Sequence, residues 1–244
     1  MAGAVRHVPR VLLKLSGEVL AGDAGHGIDG ATLARMTREI GAVRADGIEL
    51  ALVIGGGNFF RGISGQSAGM DRASADHMGM LATVMNGIAL NDALNRAGVP
   101  ASVLSGLPVS AIVEAFSVRR AREILSAGRV LVLAGGTGNP FFTTDTAAAL
   151  RAIEIGADCV LKATKVDGVY DRDPRKDAGA RRFTRLSYDD ALDKRLGVMD
   201  AAAFALCREH DMPIRVFSIV ESGNLPRAAR GDDVGTLVNR GESQ

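Results

Sequence analysis

Two lysines lie inside apolar segments of the sequence, where a charged side chain is costly unless it has a partner. Lys14 interrupts the run Val11–Leu15 just before Gly17, and Lys162 ends the run Cys159–Lys162. An unpaired buried ammonium group is strongly unfavourable, so each lysine should face an anionic group. Cations held by a carboxylate and aimed at one point are what phosphoryl transfer requires of a protein. The simpler alternative is that Lys14 lies on an edge strand and faces solvent.

Arg61 and Asp145 extend this set of charged residues. Arg61 follows Gly55–Gly57, and a guanidinium fork suits bidentate binding of phosphate. Asp145 begins a predicted helix after Thr143 and Thr144, where its carboxylate could hold the lysines. Simpler interpretations stay open for both: Arg61 as a solvated loop residue and Asp145 as a helix N-cap. The spacing alone predicts a phosphate-handling enzyme and leaves its substrate undefined.

Glycine-rich loops follow three predicted strands, at Gly17, at Gly55–Gly57 and at Gly135–Gly138. Loops of this kind expose backbone N–H groups that can bind phosphate. The P-loop signature is absent because no Gly-Lys pair occurs, and neither of the two longer loops has the G-x-G-x-x-G spacing. These observations argue against a P-loop NTPase and against a dinucleotide-binding dehydrogenase.

Apolar runs alternate with amphipathic patterns along the chain, which is typical of an α/β protein. The predicted strands are Val11–Leu15, Leu50–Ile54, Ser102–Leu104, Val130–Ala134, Cys159–Lys162, Ile214–Ser218 and Thr236–Val238. The predicted helices are Ala31–Arg44, Ala73–Ala97, Val118–Ala127, Asp145–Ile155, Ser187–Leu192, Met199–His210 and a short one after Asn224. Continuously apolar strands predict a mostly parallel sheet with helices on both faces. Such folds bind ligands at the carboxyl ends of their strands, where the glycine loops are expected.

The composition is that of a globular protein with an excess of glycine. Of 244 residues, 30 are Gly, 47% are hydrophobic and only 4% are aromatic, and the net charge is +1. The small net charge and the few aromatic residues argue against nucleic-acid binding. No apolar run is long enough to span a membrane, so we expect a cytoplasmic protein. Cys159 and Cys207 are predicted to be buried, and no Cys/His cluster has the spacing of a zinc site.

Five segments of the sequence resemble those of a known family. They are 11–18, 53–58, 76–86, 136–145 and 162–174. The first two resemble the nucleotide-site loops shared by the amino acid kinase superfamily. The other three resemble segments of the bacterial uridylate (UMP) kinases, and together they are specific to that family. The resemblance extends from about Arg10 to Val238 in the family's order, which is essentially the whole chain.

The resemblance implies a three-layer α/β/α sandwich with a central, mostly parallel sheet. It implies one catalytic domain over residues 10–240, with flexible ends at 1–9 and 241–244. The implied reaction is transfer of the γ-phosphoryl group of ATP to UMP, giving ADP and UDP for pyrimidine nucleotide synthesis. Mg²⁺ would arrive with ATP and keep mostly phosphate and water ligands, so no protein metal site is expected.

The resemblance also implies the residues of the site. The implied catalytic residues are Lys14, Asp145 and Lys162. The implied ATP-binding residues are Lys14, Leu15, Ser16, Gly17, Gly57, Arg61, Thr164, Tyr170 and Asp173. The implied UMP-binding residues are Gly56, Arg61, Asp76, Thr137, Gly138, Asn139, Pro140, Phe141, Phe142, Thr143 and Thr144. Asp145 would orient the lysines and Asp76 would bind the UMP ribose. Lys165 lies close enough to Lys162 to compete for the role of second lysine.

The family is similar in forming homohexamers that GTP activates and UTP inhibits, so both effectors and self-association are expected. The segment that corresponds to the family's GTP-linked stretch consists of Gly22, Asp23, Ala24, Gly25, His26 and Gly27. Its composition is equally that of an ordinary flexible loop. Asp200 recurs in the family, and its simplest interpretation is the N-cap of a helix over Ala201–His210.

Two other functions are compatible with parts of the sequence. A carboxylate or carbamate kinase would belong to the same superfamily, but the segments 76–86 and 139–144 favour a nucleotide acceptor. A nucleotide-binding storage or scaffold protein, such as the molybdenum storage proteins, would lack the catalytic residues. Here they are all present: Lys14, Arg61, Asp145 and Lys162. The fold alone does not separate these functions.

Overall fold

The computed structural model of the protein describes residues 9–60, 69–177 and 179–241. Its strands are β1 (Arg10–Leu15), β2 (Glu49–Ile54), β3 (Ala101–Ser105), β4 (Glu114–Ala115), β5 (Val130–Ala134), β6 (Cys159–Thr164), β7 (Arg185–Ser187), β8 (Ile214–Ser218) and β9 (Thr236–Asn239). Its α-helices are α1 (Gly30–Ala45), α2 (Arg72–Arg96), α3 (Val118–Ser126), α4 (Thr144–Ile155), α5 (Tyr188–Asp193), α6 (Ala201–Glu209) and α7 (Asn224–Arg230). Short 3₁₀ helices at Gly17–Val19 and Gly22–Ala24 follow β1.

The strands form one sheet in the order β4-β3-β5-β2-β1-β6-β8-β9-β7. Each neighbouring pair is parallel except β8 and β9, which are antiparallel. At the centre of the sheet, β1 pairs with β2 on one side and with β6 on the other. A central parallel strand is covered on both faces, which explains why successive residues such as Leu12 and Leu13 are both fully buried.

Helices cover both faces of the sheet and produce three layers. On one face, α3, α4 and α6 enclose a core that contains Leu12 and Leu133. On the other face, α1, α2 and α7 enclose a core that contains Leu13 and Leu52. Successive side chains of a strand point to opposite faces, so each central strand contributes to both cores. The predicted α/β/α sandwich with a mostly parallel sheet is confirmed.

The structure differs from the predicted elements by one or two residues at several ends and by two short strands that were not predicted. The strands Val130–Ala134 and Ile214–Ser218 have the predicted bounds, whereas β4 and β7 are absent from the prediction. The sequence places Ser187 in a helix, but this residue ends β7, and its hydroxyl accepts a hydrogen bond from the Asp190 N–H at 3.0 Å as the cap of α5. A strand as short as β7 forms because β9 pairs with it, and local sequence does not reveal that partner.

The ends predicted to be flexible, 1–9 and 241–244, lie almost wholly outside the described residues. Pro9, the first described residue, accepts a backbone hydrogen bond from Glu49 at 2.9 Å. The extent of the domain, 10–240, stays a prediction. None of the described helices has the length and apolar character needed to cross a membrane.

Candidate active site

Lys14 and Lys162 lie side by side at the centre of the sheet. The register of β1 and β6 pairs these two residues, so both side chains point to the same face. That face is the one covered by α4, because Leu12 belongs to the core beneath that helix. Asp145, the second residue of α4, has Oδ1 at 2.7 Å from the Lys14 Nζ and Oδ2 at 2.7 Å from the Lys162 Nζ. The structure thus brings together the three residues that the resemblance implies as catalytic.

Asp145 is held in its ionised form by the two lysines. Burial alone would raise the pKa of its carboxyl group, but the positive charges of Lys14 and Lys162 and their hydrogen bonds outweigh this effect. The pKa therefore lies below its ordinary value. All three side chains are only 13–15% exposed, so water screens the cluster weakly. Two positive charges against one negative leave a net positive charge for an incoming phosphate.

Lys162, and not Lys165, contacts the carboxylate of Asp145. The Lys162 Nζ also donates a hydrogen bond of 2.5 Å to the carbonyl oxygen of Val198, in the segment that precedes α6. Lys165 is exposed to solvent beyond the end of β6. The strand β6 ends at Thr164, so Lys165 lies outside the register that pairs Lys162 with Lys14. The geometry therefore favours Lys162 as the second lysine.

Asp200 joins the beginnings of α4 and α6. Its side chain accepts a hydrogen bond from the Ala203 N–H at 2.9 Å, which makes it the N-cap of α6. It also accepts hydrogen bonds from the hydroxyl groups of Thr143 and Thr146 in the first turn of α4. Thr143 in turn accepts a hydrogen bond of 3.0 Å from the Asp145 N–H. Asp200 thus holds the turn that carries Asp145, a role that its sequence context does not reveal.

The glycine loops that follow β1 and β2 are in close contact. A Cβ atom on Gly17 would lie 2.5 Å from the carbonyl oxygen of Gly55, so no larger residue fits there without a shift of the backbone. The Gly55 N–H donates a hydrogen bond of 2.9 Å to the Leu15 carbonyl oxygen. A Cβ atom on Gly56 would lie 2.6 Å from the carbonyl oxygen of Gly79 in α2. Glycine is required here because backbone segments pack directly against one another.

Residues Ser16 and Gly57 belong to the same two loops, and both are half-buried. The side chain of Leu15 is fully buried in the core beneath α1 and α2. Only its backbone is therefore available to a nucleotide.

The third glycine loop, after β5, depends on left-handed backbone. Gly135, Gly136 and Gly138 have φ angles of 72°, 58° and 83°. Residues with a Cβ atom rarely adopt these angles. In the same loop, the Thr137 hydroxyl accepts a hydrogen bond of 3.1 Å from the Asn139 N–H, which closes a tight local turn.

Asp76, in the first turns of α2, contacts the segment 137–144. Its Oδ2 accepts hydrogen bonds of 2.7 Å from the Phe141 N–H and from the Arg72 Nε. Phe141 has a φ of 72° and is 67% exposed. The neighbouring Phe142 is also largely exposed. The structure therefore brings Asp76 to the segment implied to bind UMP, and this segment presents two aromatic rings to solvent.

A cleft of about 450 Å³ lies at the carboxyl end of β6. Its lining includes Lys162, Thr164, Tyr170 and Asp173. The Tyr170 hydroxyl donates a hydrogen bond of 2.6 Å to Asp167, and this bond raises the pKa of the phenol. The cleft contains three of the implied ATP-binding residues and reaches the Lys14–Asp145–Lys162 cluster through Lys162.

The segment 22–27, implied to respond to GTP, lies against the end of the second glycine loop. The Gly27 N–H donates to the Asn58 carbonyl oxygen at 3.0 Å, and the Asn58 side chain donates to the Gly27 carbonyl oxygen at 2.7 Å. The rings of His26 and Phe59 meet edge to face at 6.1 Å. Contact with the loop is therefore established, whereas an effector role stays a prediction.

Arg61 lies outside the described residues. Within the ranges that the structure describes, no group of three or more His, Cys, Asp or Glu side chains could hold a metal ion.

Sequence reasoning missed three buried polar side chains beneath the loops: Asn58, Thr83 and Asn86. Their exposed fractions are 2%, 2% and 0%. A signal was present in the sequence, since Thr83 and Asn86 lie one helical turn apart on the face of α2 that also carries the buried Leu90. Polar residues at core positions need hydrogen-bond partners, and here those partners are in the glycine loops.

The chain matches the amino acid kinase family over residues 9–218. It is similar to the UMP kinase of Bacillus anthracis at 37% identity, with 98% of this chain and 99% of that chain covered and a TM-score of 0.94. The UMP kinase of Ureaplasma parvum is similar at 33% identity, with coverages of 96% and 100% and a TM-score of 0.91. The uridylate kinase of Archaeoglobus fulgidus is similar at 29% identity, with 93% of this chain and 99% of that chain covered and a TM-score of 0.72. The resemblance inferred from the five sequence segments is confirmed, and the chain belongs to the amino acid kinase family.

Proposed function

We propose that this protein is a UMP kinase, which transfers the γ-phosphoryl group of ATP to UMP and releases ADP and UDP. The observation that carries the proposal is the convergence of Lys14 and Lys162 on Asp145, at the edge of the sheet where the glycine loops meet. Similarity over nearly the whole chain to proteins described as UMP kinases supports UMP as the acceptor. The product would supply pyrimidine nucleotide synthesis in the cytoplasm.

The lysines act on the charge of the transferred group. Negative charge is spread over the equatorial oxygens of the phosphoryl group during transfer, and cations fixed beforehand stabilise it. Lys14 and Lys162 provide two such cations, and Asp145 sets their spacing by binding each with a different oxygen. The donor is MgATP, whose Mg²⁺ is held mainly by phosphate and water oxygens and adds positive charge from the substrate side.

The donor nucleotide occupies the side of the sheet near β6. Backbone N–H groups of the loops at Leu15, Ser16, Gly17 and Gly57 bind the ATP phosphates. The cleft lined by Thr164, Tyr170 and Asp173 accepts the adenosine, and its volume of about 450 Å³ is suited to a ligand of that size. Lys162 lines the cleft and also belongs to the cluster with Lys14 and Asp145. Its position therefore directs the γ-phosphate from the cleft towards that cluster.

The acceptor nucleotide lies on the side of α2. Asp76 binds the ribose, because one carboxylate can accept hydrogen bonds from two neighbouring hydroxyl groups. The segment 137–144 encloses the UMP, and the outward position of Phe141 and Phe142 allows it to close over the nucleotide. Gly56 and Arg61 bind the region of the UMP phosphate.

Substrate selectivity tests this proposal. Purified protein with MgATP should convert UMP much faster than CMP, AMP, glutamate or carbamate in a coupled assay of ADP release. Turnover of glutamate or carbamate in place of UMP would identify a carboxylate or carbamate kinase. The absence of turnover with every acceptor would indicate a nucleotide-binding protein without kinase activity.

Regulation by GTP and UTP is part of the proposal. The segment 22–27 contacts Asn58, directly after the second glycine loop, so a ligand bound there could alter the catalytic loops. GTP should raise the rate of UDP formation at fixed substrate concentrations, and UTP should lower it. A His26→Ala variant should respond less to GTP, while a rate that neither nucleotide changes would remove this part of the proposal.

Self-association as a homohexamer is also proposed. The solvent face of α2 carries four exposed apolar side chains at helical spacing: Met78, Leu81, Met85 and Ile88. An apolar stripe of this kind is suited to burial against a second copy of the chain. Light scattering should give a mass of six chains, and Met85→Glu should reduce it. A wild-type mass of one chain would contradict this part of the proposal.

A further inference from the structure

Two polar side chains on the buried face of α2 hold two different glycine loops. The Thr83 hydroxyl oxygen accepts a hydrogen bond of 2.7 Å from the Gly135 N–H, in the loop after β5. The Asn86 side chain donates a hydrogen bond of 2.7 Å to the Gly55 carbonyl oxygen, in the loop after β2. Residues three positions apart on a helix share one face, so a single turn of α2 contacts both loops.

Asn86 is itself fixed by a reciprocal pair of amide hydrogen bonds. Its side chain donates to Asn58 Oδ1 at 2.7 Å and accepts from Asn58 Nδ2 at 2.9 Å. Asn58 also donates to the Gly27 carbonyl oxygen. Both amides are almost fully buried. Their hydrogen bonds go to each other and to the backbone of Gly55 and Gly27. Buried networks of this kind are rigid because a shift of any member leaves a polar atom without a partner.

Close packing prevents the loop after β2 from adjusting independently. A Cβ atom on Gly56 would lie 2.6 Å from the Gly79 carbonyl oxygen and 2.7 Å from the Ala82 Cβ, both in α2. The loop therefore rests directly on the helix that also anchors Gly135. A displacement of either loop relative to the other would have to stretch a hydrogen bond to α2.

We propose that Thr83 and Asn86 are positioning residues for phosphoryl transfer, which set the distance between the loop at 55–57 and the loop at 135–138. This inference rests on the proposed function, in which the first loop holds the phosphate that is transferred and the second leads into the segment that encloses UMP. Neither side chain touches a substrate. Misplacement of reacting groups by about 1 Å is enough to slow a reaction on the order of 100-fold.

Two substitutions that each introduce one negative charge distinguish the hydrogen bond to Gly55 from the other hydrogen bonds of the network. In Asn86→Asp the side chain can no longer donate to Gly55 or to Asn58. In Asn58→Asp both of those bonds from Asn86 remain, and the two bonds that the Asn58 amide donates, to Asn86 and to Gly27, are lost. Each substitution adds one buried negative charge near the phosphate loops. We expect kcat to fall about tenfold further in Asn86→Asp than in Asn58→Asp, with KM for UMP changed by less than about threefold in both.

Thr83 provides the test at the other loop, with a variant that introduces no buried charge. Thr83→Val removes only the hydroxyl group, and we expect kcat to fall about tenfold while Thr83→Ser retains near wild-type kcat. Thr37→Val is the matched control, since Thr37 is also a buried helical threonine, and its hydroxyl bonds only the Leu33 carbonyl oxygen within α1. It should lower the melting temperature without lowering kcat.

Hydrogen exchange keeps this inference separate from the proposed function. Exchange of the Gly135 amide should accelerate in Thr83→Val and stay slow in Thr83→Ser and Thr37→Val, whether or not the protein phosphorylates UMP. Unchanged exchange in Thr83→Val would overturn the inference. So would wild-type kcat in both Asn86→Asp and Thr83→Val at a temperature where each is folded. If the wild-type chain fails to convert UMP, the proposed function fails, and the exchange result alone decides whether α2 positions the loops.

Discussion

The two faces of the sheet support the same edge by different physical means. On the face covered by α4, three charged side chains meet: Lys14 and Lys162 with Asp145, each ion pair 2.7 Å long. On the face covered by α2, the loops are held by neutral groups, the hydroxyl of Thr83 and the amide of Asn86. The charged residues are slightly exposed, whereas the neutral ones are almost completely buried.

This difference reflects what each face has to do. A phosphoryl group in transfer needs fixed positive charge, and the α4 face keeps that charge beside the cleft where a nucleotide can reach it. Backbone loops need only to be held in place, and neutral hydrogen bonds do this without the desolvation cost of buried ions. Substitutions on the α4 face should therefore change the charge that acts on the reacting group, and their effects should depend on pH. Neutral substitutions on the α2 face should act through the positions of the loops, and their effects should not depend on pH.

The largest effect is expected from loss of a lysine on the α4 face. Lys14→Ala should lower kcat by about 100-fold or more, because one of the two cations that stabilise the transferred group is lost. Steady-state rates with saturating MgATP and UMP measure this effect. A kcat close to that of the wild type would show that the charge of Lys14 does not act on the transferred group.

Lys162 and Lys165 offer a matched comparison within one segment. Lys162→Ala removes a contact with Asp145 and should lower kcat by at least about tenfold, since a charge at the reacting group is lost. Lys165→Ala removes an equal charge from an exposed position and should stay within about twofold of the wild type. Kinetics of the two purified variants distinguish them, and the reverse order would assign the catalytic role to Lys165.

A smaller and different effect is expected from the acceptor side. Asp76→Asn keeps an oxygen that can accept from the Phe141 N–H but removes the charge that would bind the ribose hydroxyls. We expect KM for UMP to rise about tenfold with a modest change in kcat, because a hydrogen bond to a charged group is lost. Initial rates at varied UMP measure it. A KM that does not change would exclude contact between Asp76 and UMP.

The smallest effect concerns stability as a function of pH. The pKa of Asp145 is lowered in the folded protein from an ordinary value of 3.8, so its ionised form is favoured by folding. Its contribution to the free energy of unfolding is therefore present above that value and is lost as pH falls through the lowered pKa. The difference in unfolding free energy between wild type and Asp145→Asn should therefore narrow as the pH falls from about 5 through that lowered pKa.

Thr83→Val is the control for this measurement because it removes a neutral group. The difference in unfolding free energy between Thr83→Val and the wild type should stay constant over the same range of pH. A constant difference for Asp145→Asn as well would show that the lysines do not stabilise the carboxylate, and the contrast between the two faces would then have no electrostatic basis.

The sequence predicts the central part of the fold because the central strands are local apolar runs with helices between them. The run Val130–Ala134 is a strand with the predicted bounds, and Lys14 is identified by its contrast with the apolar residues around it. The three glycine loops are also predicted, since each directly follows such a run. These features depend on a few consecutive residues, which a sequence displays directly.

Features that depend on distant partners are not predicted. The strand β7 exists because β9 pairs with it about 50 residues later in the chain, and Asn58 and Asn86 pair across 28 residues. Asp200 is recognisable as an N-cap, but its hydrogen bonds to Thr143 and Thr146 span more than 50 residues. The choice between Lys162 and Lys165 likewise needed the position of Asp145 in three dimensions.

A single-turnover experiment tests the central claim most directly, that the Lys14–Asp145–Lys162 cluster acts on the phosphoryl group passing from ATP to UMP. Protein in excess is mixed rapidly with MgATP and limiting UMP, and UDP is measured after quenching for the wild type and for Lys14→Met, which keeps a side chain of similar length without the charge. We predict UDP formation at least about 100-fold slower in the variant, with UMP affinity unchanged within about threefold by calorimetry. Equal single-turnover rates for the two proteins would contradict the account.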